Sequence, residues 1–116
     1  VDIDSLAISA TKINSSLNDF SENLLNVFLG SIEEIEANMP RKKIDLVLCN
    51  ILAPVIKSLG PSFKKILANK GKLILSGLLV DQIKELQEFL LSLGWQVLDI
   101  RTREQWALMV LTQDSP

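Results

Sequence analysis

The chain has 116 residues, 47% of them hydrophobic and 22% charged, an ordinary balance for one globular domain with a sizeable core. It contains no histidine and a single cysteine, Cys49, which excludes Ser-His and Cys-His nucleophile pairs, His-ligated zinc and an internal disulfide framework. Twelve basic and 14 acidic residues give a net charge of −2, with no broad basic field for nucleic acid, and no apolar run is long enough to cross a bilayer, so a cytosolic protein without metal is expected.

Val1-Asp2-Ile3 reads as a strand end that feeds directly into a helix, in which Leu6, Ala10, Ile13 and Leu17 recur at three- and four-residue spacing. Asp4 is a suitable N-cap and Asn18-Asp19 a stop. Leu24 to Leu29 reads as a buried strand broken by Gly30-Ser31, after which a short helical turn carries Ile32 and Ile35. The loop from Asn38 to Lys43 holds the basic run Arg41-Lys42-Lys43, read as a solvated face.

Ile44 to Cys49 is almost continuously apolar, as expected of a central parallel strand covered on both faces, and ends at Asn50. Cys49, inside that run, reads as a small core hydrophobe. The next helix carries Val55, Ile56, Leu59, Phe63, Ile66 and Leu67, tolerates Pro54 in its first turn, and meets a kink or break at Gly60-Pro61. Asn69-Lys70-Gly71 closes it, and Lys72 to Ser76 forms another buried strand. A helix then follows Gly77 with Val80, Ile83, Leu86, Leu90 and Leu93 on one face and ends at Gly94. Trp95 to Ile100 and Trp106 to Leu111 are separated by too few residues for a crossover, so they must pair as an antiparallel hairpin. This alternation means an α/β fold, a doubly wound and mostly parallel sheet with helices on both faces and an antiparallel terminal hairpin. No linker or repeat divides residues 1–116.

In open α/β sheets ligands lie beyond the carboxyl ends of the strands, which directs attention to Asp2 to Asp4, Gly30-Ser31, Asn50 to Ala53 and Ser76-Gly77. An acidic residue such as Asp2 at a strand end can accept hydrogen bonds from both ribose hydroxyls, although a capping or surface role also accounts for it. Asn50 is equally readable as a turn residue between strand and helix.

Taken together, Val1-Asp2-Ile3-Asp4-Ser5-Leu6-Ala7, Leu29-Gly30-Ser31, the segment Asp45-Leu46-Val47-Leu48-Cys49-Asn50-Ile51-Leu52-Ala53, Gly71 to Gly77 and Gly94-Trp95 resemble the successive motifs of the methyltransferases of ribosomal large-subunit protein eleven. The most specific parts are the Asn-Ile-Leu-Ala tetrad at one strand end and Leu-Ser-Gly one strand later. The resemblance implies a Rossmann-like methyltransferase fold and an S-adenosylmethionine cofactor. It also implies N-methylation of amino groups of that ribosomal protein. Asp2 matches the ribose-binding carboxylate, Ile3 would pack against the adenine, and Ser31 stands where the wider superfamily often has an Asp that touches the adenine amino group. Asn50 matches the substrate-facing, catalytic asparagine, which would also contact the cofactor, with the Ile51 carbonyl and Leu52 positioning the substrate. Ser5 departs from the usual proline, which would loosen only the first helical turn. The resemblance further implies that the family's first strand and glycine-rich cofactor loop would precede Val1, together with a domain that grips the ribosomal protein. On this basis the chain is expected to be a part of the catalytic domain with little activity alone. A module that keeps the fold as an inactive interaction or scaffold element is the alternative.

Overall fold

The computed structural model describes residues 1–40 and 43–113. The chain forms two compact units, Val1–Arg41 and Lys42–Pro116.

In the first unit, α1 (Ser5–Leu17) begins where the Asp4 carboxylate accepts from the Leu6 amide at 2.9 Å. It stops at Asn18, whose side chain donates to the Asn14 carbonyl at 2.7 Å while Asp19 turns to a φ of 56°. The capping and stop signals therefore operate as the sequence predicts. The apolar residues Leu6, Ile13 and Leu17 remain exposed, and the helix buries no residue. A second helix, α2 (Ile32–Asn38), follows Ser31; Glu33 and Glu34 sit in its first turn, where their charge suits the positive end of the helix dipole.

Leu24 to Leu29 is not a strand. Residues 22–24 turn, and a single parallel bridge joins Leu29 to Asp2, with the Asp2 amide on the Phe28 carbonyl at 3.3 Å and the Gly30 amide on the Asp2 carbonyl at 2.8 Å. The reason is the shortness of the partner: Asp4 already caps α1, so residues 1–3 supply too little extended backbone for a ladder. Leu24 and Leu25 are consequently exposed.

The second unit is built on a four-stranded sheet in the order β1-β2-β4-β3, where β1 is Ile44–Asn50, β2 Leu67–Leu79, β3 Trp95–Arg103 and β4 Trp106–Gln113. β1 and β2 are parallel, and β4 runs antiparallel to both β2 and β3, so the expected terminal hairpin forms and its second strand inserts beside β2. Together with helices α3 (Ala53–Ile66) and α4 (Ile83–Ser92), this is the expected α/β class with a mixed sheet.

The register sorts side chains by face. Val47 pairs with Leu73 and Cys49 with Leu75, and on the other side of β2 Leu73 pairs with Leu111 and Leu75 with Met109. These positions face the core, in which Leu73, Leu75, Leu78, Met109 and Leu111 are fully buried against Ile56, Leu86 and Leu90 of the helices. Leu46, Leu48, Ile74 and Val110 occupy the opposite face and are exposed or half-buried there. β1 lies at the edge of this sheet with Leu46 and Leu48 exposed, so the central, doubly covered strand expected from its apolar run is not what this unit shows.

α3 and α4 pack on each other and on β2 and β3 respectively. Pro61 does not break α3, which continues to Ile66. The neighbouring Gly60 is buried under α4, and a Cβ there would lie 2.9 Å from Leu93 Cδ1, so close helix contact supports the turn that lacks the proline N–H. At the surface, Lys57 pairs with Glu85 across the two helices and stands 6.0 Å from the Phe89 ring centroid; its proximity holds the Glu85 carboxyl below the usual range. Lys64 donates to the Leu93 carbonyl at the end of α4 and lies 5.6 Å from the centroid of the buried Trp95 ring. Of the basic run, Arg41 and Lys42 fall outside the described residues, while Lys43 donates to the Lys65 carbonyl.

Two leucines on α4 separate burial from helix propensity. Leu86 is fully buried and Leu91 is 49% exposed. In urea unfolding of the chain, Leu86→Ala should cost about 2–5 kcal/mol, whereas Leu91→Ala should cost less than about 1 kcal/mol. Equal costs would show that α4 is not seated as described.

Candidate functional site

In the first unit, the backbone bridge to Leu29 brings Asp2 next to Gly30-Ser31. One Asp2 carboxylate oxygen accepts from the Asp4 amide at 2.9 Å, which fixes the side chain in a tight turn, and the residue is otherwise exposed. Ile3 is 82% exposed. Ser31 precedes α2; its amide donates to Glu33 Oε1 at 3.1 Å, and its side chain makes no capping bond. Exposed Asp2 and Ile3 and half-buried Ser31 thus stand near the ends of two extended segments joined by that bridge, bringing an acceptor, an apolar group and a hydroxyl to one end of the unit. A hollow of about 350 Å³ opens elsewhere in this unit, between Lys12, Ser15, Ser16, Phe20 and Leu25, and none of the cluster residues lines it.

In the second unit, Asn50 is the last residue of β1 and pairs in register with Ser76 of β2. The strand ends here because Ile51 and Leu52 leave the ladder, and Leu52, at φ −63° and ψ 142°, starts α3 by accepting from the Val55 and Ile56 amides at 3.0 and 3.1 Å. Asn50 is exposed, Ile51 half-buried, and Leu52 73% exposed. Among the described residues no side-chain hydrogen bond involves the Asn50 carboxamide, whose oxygen end lies against Gly77. Ser76-Gly77, within the adjacent strand, lies against it, so two of the segments singled out from the sequence meet at one place.

Sequence reasoning placed Gly77 only at a strand end before a helix. In the structure β2 runs on to Leu79, a 3₁₀ turn at Val80–Gln82 intervenes, and α4 starts at Ile83. The continuation is stabilised by β4, since Leu78 pairs with Ala107 and Leu79 with Trp106. Gly77 has a φ of +69° and sits beneath Asn50. The Leu-Ser-Gly motif marks the position of Gly77 in the sequence, but its contact with Asn50 follows from strand register, which the sequence does not display.

Cys49 precedes Asn50 on the core-facing side of β1, consistent with a small core residue, and burial pushes its thiol up to about 11.

The family profile described as Ribosomal protein L11 methyltransferase (PrmA) matches residues 1–114. The chain belongs to this family. A ribosomal protein L11 methyltransferase of Prochlorococcus marinus is 44% identical over 116 residues, covering 100% of this chain and 38% of the relative. The chain thus spans well under half the length of the curated relatives it matches. The crystal structure of ribosomal protein L11 methylase from Lactobacillus delbrueckii subsp. bulgaricus has the same fold, with a TM-score of 0.84 at 23% identity over 98% of this chain and 56% of that one. SMU.776, solved as a complex with SAH, shares the fold at a TM-score of 0.70 and 11% identity, over 94% of this chain and 37% of that chain. Membership of the family makes methyl transfer the chemistry against which the two clusters are to be judged.

The Cys49 environment sets a pH dependence. Its folded-state value of about 11 lies above the ordinary 9.0, so the native state keeps a proton that the unfolded chain releases. The stabilisation is complete below pH 9.0 and should be lost as pH rises toward 11. Urea midpoints of the chain and of Cys49→Ala, measured from pH 8 upward, should show a fall for the former that the variant lacks; parallel curves would contradict the assignment.

Proposed function

We propose that residues 1–116 supply part of the catalytic domain of a cytosolic, S-adenosylmethionine-dependent protein N-methyltransferase that acts on amino groups of ribosomal protein L11. The observation that carries the reading is the Asn50 carboxamide at the carboxyl end of β1, without a side-chain hydrogen bond among the described residues, in a chain that belongs to the family along residues 1–114.

The donor set fits the cofactor. Asp2 has a carboxylate oxygen available beyond the one held by Asp4, the requirement for accepting from ribose hydroxyls, and Ile3 offers an exposed apolar surface for a purine. Ser31, with its hydroxyl uncommitted to capping, would make a modest polar contact at the base. When bound, S-adenosylmethionine supplies an electrophilic methyl group on a sulfonium.

The remaining work is positional. An amine reacts only when neutral, with its lone pair directed at the methyl carbon. Asn50 Oδ1 and the Ile51 carbonyl are acceptors, and they would hold the amine N–H groups so that the lone pair points away from them. Leu52, exposed beside them, would cover the aliphatic stem of the substrate side chain. Acceptors without formal charge suit this role better than a carboxylate, because they stabilise the ammonium form less. Rate enhancement then comes from orientation, where displacement by about 1 Å can cost on the order of a hundredfold.

Calorimetric titration of S-adenosylmethionine into the family-length protein that carries this segment tests the cofactor assignment. Asp2→Ala should weaken binding by roughly 10- to 100-fold, as expected for losing hydrogen bonds to a charged group. An unchanged Kd would remove Asp2 from the site.

A further inference from the structure

We infer that Gly77 is a positioning residue for Asn50: by leaving the space above its own Cα empty, it provides the seat in which the Asn50 carboxamide is held for the amine. The inference rests on the proposed role of Asn50 and extends it to a residue on a different strand.

Three features of the second unit converge here. The pairing of β2 with β4 advances from Leu75↔Met109 to Leu78↔Ala107, three residues on β2 against two on β4, so Ser76 and Gly77 together oppose the single residue Leu108. This is a β-bulge, a device that re-aims side chains and recurs beside active sites. Gly77, within the bulge, adopts a φ of +69°, which an L side chain rarely takes. The left-handed backbone turns the direction of an L side chain toward β1. A Cβ at this position would overlap Asn50 Oδ1, and would stand only 3.0 Å from Asn50 Cγ and 3.6 Å from Nδ2.

The parallel register supplies the third feature, because Asn50 pairs with Ser76 and its side chain therefore stands next to the bulge. With no side-chain hydrogen bond of its own among the described residues, the carboxamide takes its orientation from packing. The oxygen end of the amide against the bare Gly77 backbone is the contact that can set it. Adding a methyl group at residue 77 strains the left-handed backbone and also meets the end of a short side chain, which can rotate away without dismantling the sheet. The methyl group must then turn the carboxamide out of its seat, and with it the acceptor oxygen.

Nuclear magnetic resonance of the chain gives the structural half of the test. Cross-peaks between the Asn50 carboxamide protons and the Gly77 Hα protons, with the carboxamide as ordered as the β1 backbone, are expected; a freely rotating carboxamide without those cross-peaks would overturn the inference. Steady-state kinetics of the family-length enzyme give the functional half. Gly77→Ala should lower kcat about a hundredfold, with KM for S-adenosylmethionine changed by less than about threefold, because the change misplaces an acceptor and leaves the cofactor contacts in place. In an Asn50→Ala background, Gly77→Ala should cause no further loss. Gly77→Ala at full kcat beside a severely impaired Asn50→Ala would overturn the role of Gly77 alone. Full kcat in Asn50→Ala would overturn the assignment of Asn50 itself, and equal additional losses from Gly77→Ala in both backgrounds would reduce Gly77 to a structural residue.

Discussion

The parallel pairing of β1 with β2 is the constraint on which the second unit depends. Its register puts Val47 and Cys49 beside Leu73 and Leu75, and so joins β1 to the core beneath α3 and α4. The same register ends by setting Asn50 against Ser76, at the point where the bulge in β2 begins. A shift of one residue would turn Leu46 and Leu48 into the core and carry Asn50 to the wrong face. Fold stability and site geometry are thus fixed by one ladder of hydrogen bonds.

That economy explains how a site can be built from uncharged groups. No strongly perturbed acid or base is needed to orient a neutral amine, and a carboxamide held by its surroundings meets the requirement. The first unit contributes a different kind of group, a charged carboxylate at a strand end, tied by the Asp4 amide into a turn that also leads into α1. In both units the functional candidate sits where extended backbone gives way to a helix, the place at which α/β folds present side chains to ligands.

Much of this was legible in the sequence where local and tertiary preferences agree. The caps of α1, the apolar run of β1, the spacing of α4 and the closing hairpin all formed because each signal has a partner in the fold that reinforces it. Leu24 to Leu29 failed for the opposite reason: its composition suits a strand, but residues 1–3 offer it a single bridge. Pro61 does not split α3, in which the neighbouring Gly60 packs closely against α4. The extension of β2 through Gly77 to Leu79 depends on β4, a strand distant in sequence, which no local pattern encodes. Asn50 could be found from its position after an apolar run. Its contact with Gly77 could not, because it arises from a register and a bulge that only pairing defines.

The pH–rate profile of Asn50→Asp in the family-length enzyme, acting on ribosomal protein L11, tests most directly whether a neutral acceptor at the end of β1 governs methyl transfer. A carboxylate there would attract the ammonium form and raise the pKa of the acceptor amine. The expected result is a large loss of kcat/KM at neutral pH, partly recovered as pH rises, with the alkaline limb displaced upward from that of the unaltered enzyme. A profile that superimposes on the unaltered one would contradict the role assigned to Asn50.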